Sequence, residues 1–219
     1  MKKIITHTLL SICFLLLAEG FAYAAQPLTN LEELNRRLRE TPPPPPAGKI
    51  TSIESEFIQT KHIDIFNEDI ESRGTFLYCN GKQICLDYHQ PIAYRIVING
   101  NRLMTVANGQ KNIVNLGSNA MMNEMQKLIG ACMAGNLQVL QSDFDLTYES
   151  DAQHYYITAQ PHDKGIADYI AKIGLTIDKK DMSVTELVFH ENENDYTRYR
   201  FTNKRFNQLD AHDSRFSIQ

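Results

Sequence analysis

The stretch from residue 74 to residue 100, GTFLYCNGKQICLDYHQPIAYRIVING, reads as three antiparallel strands with apolar side chains on both faces. Side chains alternate along a strand, so Phe76 and Tyr78 lie on one face while Leu77 lies on the other. The run Ile96–Ile98 repeats this alternation. An ordinary surface sheet is apolar on one face only, because the other meets water. This sheet must therefore cover both faces with other parts of the chain, or keep one face for an apolar ligand.

The first 24 residues have the pattern of a secretory signal peptide. Lys2 and Lys3 precede an apolar run, residues 9–18, that is too short to span a bilayer. Ala22-Tyr23-Ala24 then forms a small-x-small cleavage site. We therefore expect export to the periplasm, cleavage near Ala24 and a soluble mature chain.

The composition argues against nucleic acid as a partner and against catalysis. A formal charge of −4 disfavours binding to nucleic acid or, through charge alone, to anionic headgroups. The histidines are scattered without metal-ligand spacing, and the chain has neither a glycine-rich phosphate loop nor a CxxC motif. His190-Glu191 begins like a zinc-protease motif, but no second histidine follows at the required offset. We expect neither an enzyme nor a bound metal or cofactor.

Two segments are expected after the signal peptide: a helix with a linker in residues 25–49, and one barrel domain in residues 50–219. Leu28–Arg39 has its leucines on one stripe and a capping box at its start, which predicts a helix. The five prolines Pro42–Pro46 end that helix and form a stiff, extended spacer.

From residue 50 onward the chain is mostly strand, interrupted by turn signals such as Asn80-Gly81 and Asn108-Gly109. Such spacing is typical of an antiparallel meander that curls towards a sandwich or barrel. A short helical patch is expected at Gly165–Ala171. The predicted strands are Ile50–His62, Ser72–Tyr78, Gln83–Tyr88, Ala93–Asn99, Arg102–Ala107, Lys111–Leu116, Phe144–Glu149, Tyr155–Ala159, Ile173–Asp178, Ser183–His190 and Tyr196–Asn203.

A methionine-rich helix is predicted at Asn119–Ala134, in the middle of the meander. Four of the seven methionines of the chain lie between Met121 and Met133. Methionine adapts to ligands of varied shape, so the helix is either plain core or the cover of an apolar pocket. The two-faced sheet and the predicted export favour the pocket.

Cys79 and Cys85 lie almost symmetrically about the Asn80-Gly81-Lys82 turn. They could face each other across a hairpin and form a disulfide, which would contribute about 2–3 kcal/mol by restricting the unfolded chain. The alternative is a pair of free, buried thiols, because cross-strand disulfides are often strained.

An ordered set of short runs resembles the periplasmic outer-membrane lipoprotein carrier LolA, and above all its relatives in Bacteroidetes-type bacteria. The resemblance extends from about Ile50 to the end of the chain. Two positions depart from the usual family pattern: Asn80-Gly81 stands where many members have Arg-Pro, and Leu86 where they have tryptophan. The runs that carry the resemblance are Phe57–Lys61, Gly74–Tyr78, Leu86–Tyr88 with Pro91, Ile96–Gly100, Asp195–Thr197, Phe201–Asn203 with Asn207, and Phe216.

The resemblance implies a mainly β fold with a helical lid (α+β), an incomplete antiparallel β-barrel whose concave apolar face is covered by helices. It also implies transport without chemistry: a monomeric carrier shields the acyl chains of lipoproteins in an apolar cavity. An inner-membrane transporter would supply the cargo and an outer-membrane acceptor would receive it. The expected ligand-binding residues, chosen without knowing which sheet face is concave, are Phe57, Phe76, Tyr78, Leu86, Tyr88, Ile96, Ile98, Met121, Met122, Met125, Leu128 and Ile129.

Two alternatives to a lipoprotein carrier remain open at this stage. The first is a carrier or chaperone for a lipid intermediate of a dedicated biosynthetic or export system. The second is a periplasmic lipid-sensing module that regulates a membrane partner.

Overall fold

A computed structural model describes residues 26–27, 34, 36, 50–116, 127–131, 133 and 137–219. Within these residues twelve strands form a single antiparallel sheet in the order β1-β8-β9-β10-β11-β12-β2-β3-β4-β5-β6-β7. The strands are β1 (Gln26–Pro27), β2 (Ser52–Ile63), β3 (Glu68–Cys79), β4 (Gln83–Gln90), β5 (Tyr94–Asn99), β6 (Arg102–Ala107), β7 (Gln110–Asn115), β8 (Phe144–Ser150), β9 (His154–Pro161), β10 (Lys172–Asp178), β11 (Ser183–His190) and β12 (Tyr196–Phe206).

The sheet consists of two meanders joined side by side. Strands β2 to β7 pair in chain order, as do β8 to β12, and β12 pairs with β2 to join the two sets. The two-residue β1 extends the β8 edge, and in the described part of the chain β1 and β7 do not pair, so the sheet is not closed. The prediction of a mainly β, incomplete antiparallel barrel is confirmed.

The helical elements are described only in part. Leu34 and Arg36 are helical, as are residues 127–131 and 133. The remaining positions of the predicted helices at residues 28–39 and 119–134, and the proline spacer, lie outside the described residues. Short 3-10 helices span Asp64–Phe66, Leu137–Leu140 and Ser214–Phe216, and the predicted patch near residue 165 is the α-helix Lys164–Ala167.

One strand boundary differs clearly from the sequence prediction. β3 begins at Glu68, four residues before the predicted start at Ser72, because β2 and β3 pair without interruption out to Ile63 and Glu68. The extra residues are exposed and mostly acidic, so they lack the apolar alternation from which strands are predicted.

The two apolar faces of the sheet contribute to two separate cores. Phe76 and Tyr78 belong to the larger cluster, on what we call the interior face. Leu77 and Val97 belong to the smaller cluster, on what we call the second face. The alternation predicted from the sequence is therefore confirmed, and the structure has a separate cover for each face.

The interior face is covered by side chains from outside the sheet. Leu34, Leu128, Ala131 and Met133, which we call the helical cover, are buried against it in the larger cluster. Leu34 and Leu128 have no solvent exposure. The helical cover is the described part of the lid that the sequence predicts.

The second face is covered by residues 209–218, which we call the C-terminal cover. Phe216 is completely buried in the smaller cluster, together with Ile218, Leu77 and Val97. This contact explains how a sheet that is apolar on both faces avoids water on the face away from the helices.

Polar contacts hold the C-terminal cover in place. The side-chain amide of Gln83 donates a hydrogen bond to the carbonyl oxygen of Ala211 at 2.8 Å. The side-chain amide of Asn99 donates to the carbonyl oxygen of Phe216 at 3.1 Å. Both amides project from sheet strands, so they fix the backbone of the cover relative to β4 and β5.

The two hairpin cysteines do not face each other. Cys79 pairs with Gln83 and Cys85 pairs with Leu77, because the register is symmetric about Gly81. Both thiols are free and buried in the smaller cluster, which is the second of the two alternatives that the sequence left open. Burial raises the pKa of Cys85 to about 12, so this thiol is protonated and unreactive at neutral pH.

We expect Phe216→Ala to lower the free energy of unfolding by about 3–5 kcal/mol, because it leaves a cavity over the second face. Urea unfolding of the variant and the wild type measures this. Ser217→Ala, at the exposed neighbouring position, is the matched control and should be neutral within about 0.5 kcal/mol. A small effect of Phe216→Ala would mean that the C-terminal cover does not stabilise the sheet.

Candidate functional site

Nine of the twelve ligand-binding residues expected from the sequence lie on the interior face. Seven come from the sheet and two from the helical segment at residues 127–131, and all lie in or against the larger cluster. The other three, Met121, Met122 and Met125, lie outside the described residues. The nine are Phe57, Phe76, Tyr78, Leu86, Tyr88, Ile96, Ile98, Leu128 and Ile129.

Strand register arranges these side chains in rows that cross the sheet. One row runs through Tyr78, Ile84, Ile98 and Leu103, since each is paired with the next across β3 to β6. The next row begins at Ser55 and continues through Phe76, Leu86 and Ile96. Apart from the Tyr78 and Ser55 hydroxyls, the two rows form a continuous hydrocarbon surface beneath the helical cover.

Gly74 shapes the interior face beside these rows. A β-carbon at this position would lie 2.8 Å from the ring of Phe57 and 2.2 Å from the carbonyl oxygen of Asp87. The absence of a side chain lets the Phe57 ring lie across β3 and meet Tyr88 edge-on, with 5.0 Å between ring centroids. Gly74 therefore permits an aromatic platform at the edge of the apolar rows.

Beyond Phe57 the interior face becomes polar. Tyr88 donates a hydrogen bond of 2.5 Å to Oε1 of Gln59, and its hydroxyl oxygen lies 3.1 Å from that of Tyr199. All three residues are at most 7 % exposed. Inside a core such a network is stable only where its members satisfy one another, so it forms a fixed polar boundary to the apolar rows.

A buried ion pair lies further along β2, in the direction of Ile63. Lys61 Nζ is 2.9 Å from Oε1 of Glu191, and the Lys61 side chain is 8 % exposed. Burial raises the pKa of Glu191, while the hydrogen bond from Lys61 opposes that shift. The interior face is thus polar towards the β2–β3 turn and apolar towards the Asn80-Gly81 turn.

The buried hydroxyls of this face without a hydrogen-bond partner include those of Thr197, Ser55 and Tyr148. Thr197 Oγ1 and Ser55 Oγ are both buried without one, at 0 % and 2 % exposure of the residues. Thr197 pairs with Phe189, so it projects to the interior side. Sequence reasoning missed both, although alternation along β2 and β12 places them on the same face as Phe57 and Phe201.

The helical cover meets the sheet at the Asn80-Gly81 turn. Tyr78 donates a hydrogen bond of 3.4 Å from its hydroxyl to the carbonyl oxygen of Gly130. A β-carbon at Gly130 would lie 3.4 Å from the carbonyl oxygen of Gly81, so the helix backbone packs closely on the turn. Both Asn80 and Gly81 have positive φ, the left-handed conformation that these two residue types favour.

The second face also carries a groove, of about 630 Å³, beside the C-terminal cover. Its lining contains both charged and apolar side chains, including Asp87, Arg95, Met104 and Lys111. Its lining is less apolar than the interior rows. In the part of the chain that the structure describes, no three metal-ligating side chains cluster. No described helix is long and apolar enough to span a membrane.

His190 is the last residue of β11, as expected from the sequence, and Glu191 follows it outside the strand and forms an ion pair with Lys61. Burial, reinforced by the charges of Lys172 and Arg198, lowers the pKa of His190 to about 4. The imidazole is therefore neutral at pH 7, and its Nδ1 atom has no hydrogen-bond partner.

Comparison with known proteins identifies one family. The model of the family described as outer membrane lipoprotein carrier protein LolA matches residues 48–219. No curated protein matches the sequence. The similar solved structures include a LolA superfamily protein from Nitrosomonas europaea, with 10 % identity, a TM-score of 0.44 and coverage of 87 % of this chain and 99 % of that one.

Two other structures are similar to the same degree. One is an uncharacterized conserved protein from Thermus thermophilus, with 10 % identity, a TM-score of 0.49 and coverage of 82 % and 88 % of the two chains. The other is a putative outer membrane lipoprotein-sorting protein domain from Vibrio parahaemolyticus, with 12 % identity, a TM-score of 0.42 and coverage of 85 % and 97 %. The family assignment rests on the family model.

The titration of His190 predicts a pH dependence of stability. Because the folded pKa is about 4 and the unfolded value is about 6.5, the unfolded state takes up its proton first as the pH falls. The contribution of neutral His190 to the free energy of unfolding is complete above pH 6.5 and is lost between pH 6.5 and pH 4. We expect this loss to be about 1–2 kcal/mol after discounting for the partly exposed ring.

Urea unfolding of the wild type and of His190→Gln at several pH values between 7 and 4 measures this loss. We expect the variant to have the flatter curve in that window. Parallel curves would contradict a depressed pKa for His190.

Proposed function

The chain belongs to the LolA family, and from this premise we propose that it is a soluble periplasmic carrier for the acyl chains of lipoproteins. It takes its cargo from an inner-membrane transporter, shields the acyl chains against the interior face and passes them to an outer-membrane acceptor. One observation carries the proposal: nine side chains from four strands and the helical segment converge on a single apolar surface. The family is described as one of outer membrane lipoprotein carriers, which supports the proposal.

The chemistry of the interior face is sufficient for this task. Each methylene group transferred from water to such a surface contributes about 0.8 kcal/mol, so a chain of ordinary length binds without metal or charge. The rows of Phe76 and Tyr78 offer hydrocarbon and aromatic contacts over four strands. A signal peptide in residues 1–24 would place the carrier in the periplasm, between the two membranes it serves.

The packing of the helical cover implies a competition for the interior face. Leu128 has no solvent exposure and packs on the surface that an acyl chain would occupy. Cargo must therefore displace the helical cover, and return of the cover helps to expel the cargo. A ligand shifts such an equilibrium only by the difference in its affinity for the open and closed states.

The direct experiment is a titration of the purified mature protein with a pyrene-labelled fatty acid. Native mass spectrometry of the protein as isolated from cells, without a delipidation step, accompanies it. We expect saturable binding of the probe and co-purified acylated cargo. A protein that takes up no acyl probe and carries no bound lipid would refute the proposal.

Ile129→Glu tests the helical segment directly. Ile129 is only partly buried against the larger cluster, so a carboxylate there should leave the protein folded while placing charge beside the acyl chain. We expect at least tenfold weaker probe binding, measured as pyrene fluorescence per folded molecule. The matched control is Ile113→Glu, the same change at a 40 % exposed position of β7. Equal affinities of both variants would place the acyl site elsewhere.

Tyr78→Phe tests the competition between cover and cargo. The substitution removes the hydrogen bond to the Gly130 carbonyl, and with it part of the free energy that holds the cover closed. We expect acyl-probe affinity to rise by about two- to tenfold while the unfolding midpoint falls slightly. The exposed Tyr169→Phe is the control and should leave both unchanged. A fall in affinity would show that the hydroxyl binds cargo instead of closing the cover.

A further inference from the structure

Thr197 and Ser55 both carry a hydroxyl with no partner on the interior face, but their surroundings differ. Ser55 is paired with Phe76, in the row that continues through Leu86 and Ile96. Thr197 lies two residues from Tyr199, about 7 Å along β12, and Tyr199 belongs to the polar network with Tyr88. One hydroxyl is therefore embedded in hydrocarbon and the other borders the polar boundary.

A fully buried hydroxyl without a partner is unfavourable, because it has lost its hydrogen bonds to water. Thr197 has 0 % exposure, and its position on β12 opposite Phe189 is fixed by backbone pairing. Valine would have the same shape without the unfavourable free energy of an unpaired buried hydroxyl. A polar atom at this position is explained if a bound ligand accepts its hydrogen bond.

The polarity of the interior face indicates which group this is. An acyl chain on the apolar rows has its hydrocarbon near Ile84 and Ile98, and its polar end must lie where the face becomes polar. That boundary is formed by Gln59, Tyr88 and Tyr199. The first polar atom of an acyl group is its carbonyl oxygen, which accepts hydrogen bonds and carries no charge.

We propose that Thr197 donates a hydrogen bond from Oγ1 to the carbonyl oxygen of a bound acyl ester or amide, and so fixes the direction of the acyl chain on the interior face. This inference rests on the proposed carrier function and adds an orientation to it. The carbonyl lies at the Thr197 end, and the methyl end of the chain points towards the Asn80-Gly81 turn. Ser55 faces the hydrocarbon and makes no bond to cargo.

The test compares probes that differ at the polar end only. Wild type, Thr197→Val and Ser55→Ala are titrated with a pyrene-labelled fatty acid methyl ester, with the corresponding free acid and with a pyrene alkane of equal length. We expect Thr197→Val to bind the ester about three- to tenfold more weakly and the alkane with unchanged affinity. The thermal midpoint of Thr197→Val should be unchanged or higher, because an unpartnered hydroxyl is removed. Ser55→Ala should change the affinities for ester and alkane by the same factor, because its hydroxyl makes no bond to cargo.

The outcomes separate the orientation from the carrier function. If the wild type binds none of the probes, the carrier function fails. If Thr197→Val weakens ester and alkane equally, or weakens neither, Thr197 has a packing role or bonds only to water, and the orientation is wrong. If Ser55→Ala loses affinity for the ester and not for the alkane, the acyl chain lies in the opposite direction and the proposed orientation is wrong. A lower thermal midpoint in Thr197→Val would mean that its hydroxyl has an internal partner, which also refutes the inference. The free-acid arm distinguishes a carbonyl preference from recognition of a carboxylate.

Discussion

The packing of Phe216 against Leu77 and Val97 decides which face of the sheet is left for a ligand. The central strands are apolar on both faces, and a face left in water would expose a hydrophobic patch. Residues 209–218 cover the second face, and two side-chain amides hold their backbone. Because the chain itself covers that face, the carrier function proposed above uses the interior face.

The two covers differ in how they are held. The C-terminal cover combines apolar burial with hydrogen bonds from Gln83 and Asn99 to backbone carbonyls. The helical cover has apolar burial of Leu128 and a long hydrogen bond from Tyr78 to Gly130, while the adjoining Lys127 forms a partly exposed ion pair with Asp143. An ion pair with that exposure contributes little to stability. Apolar burial is non-directional, so hydrocarbon from a ligand can replace it at little cost. The face that is held mainly by burial is therefore the one suited to exchange.

Local periodicity was sufficient to predict the strands and the two-faced sheet. The alternation at Phe76, Leu77 and Tyr78 is a property of neighbouring residues, and the structure places these side chains as the pattern predicts. The exposed, acidic start of β3 was missed because its strand conformation comes from pairing with β2 and leaves no apolar period. The sequence left the state of the two cysteines open for a related reason: the register of the hairpin, centred on Gly81, places Cys79 opposite Gln83.

Long-range features of the site could not be predicted in the same way. The sequence indicated neither that Phe216 would cover Val97, more than a hundred residues away, nor that Tyr88 would meet Tyr199. These contacts depend on how β12 joins β2, which no local pattern encodes. Thr197 was accessible in principle, because alternation with Tyr199 and Phe201 puts it inside. That its hydroxyl has no hydrogen-bond partner, however, can be seen only once the neighbouring side chains are known.

Affinity and orientation have different origins on such a face. Hydrocarbon burial grows with chain length and is indifferent to direction, so the rows around Phe76 and Ile96 could hold an acyl chain either way round. A single hydrogen bond adds little affinity, but leaving the carbonyl against hydrocarbon would cost more than the bond contributes. A polar boundary at one end therefore selects direction without making release difficult. Under the carrier function proposed above, this division would be favourable, since a cargo held in one direction could be passed on in a defined order.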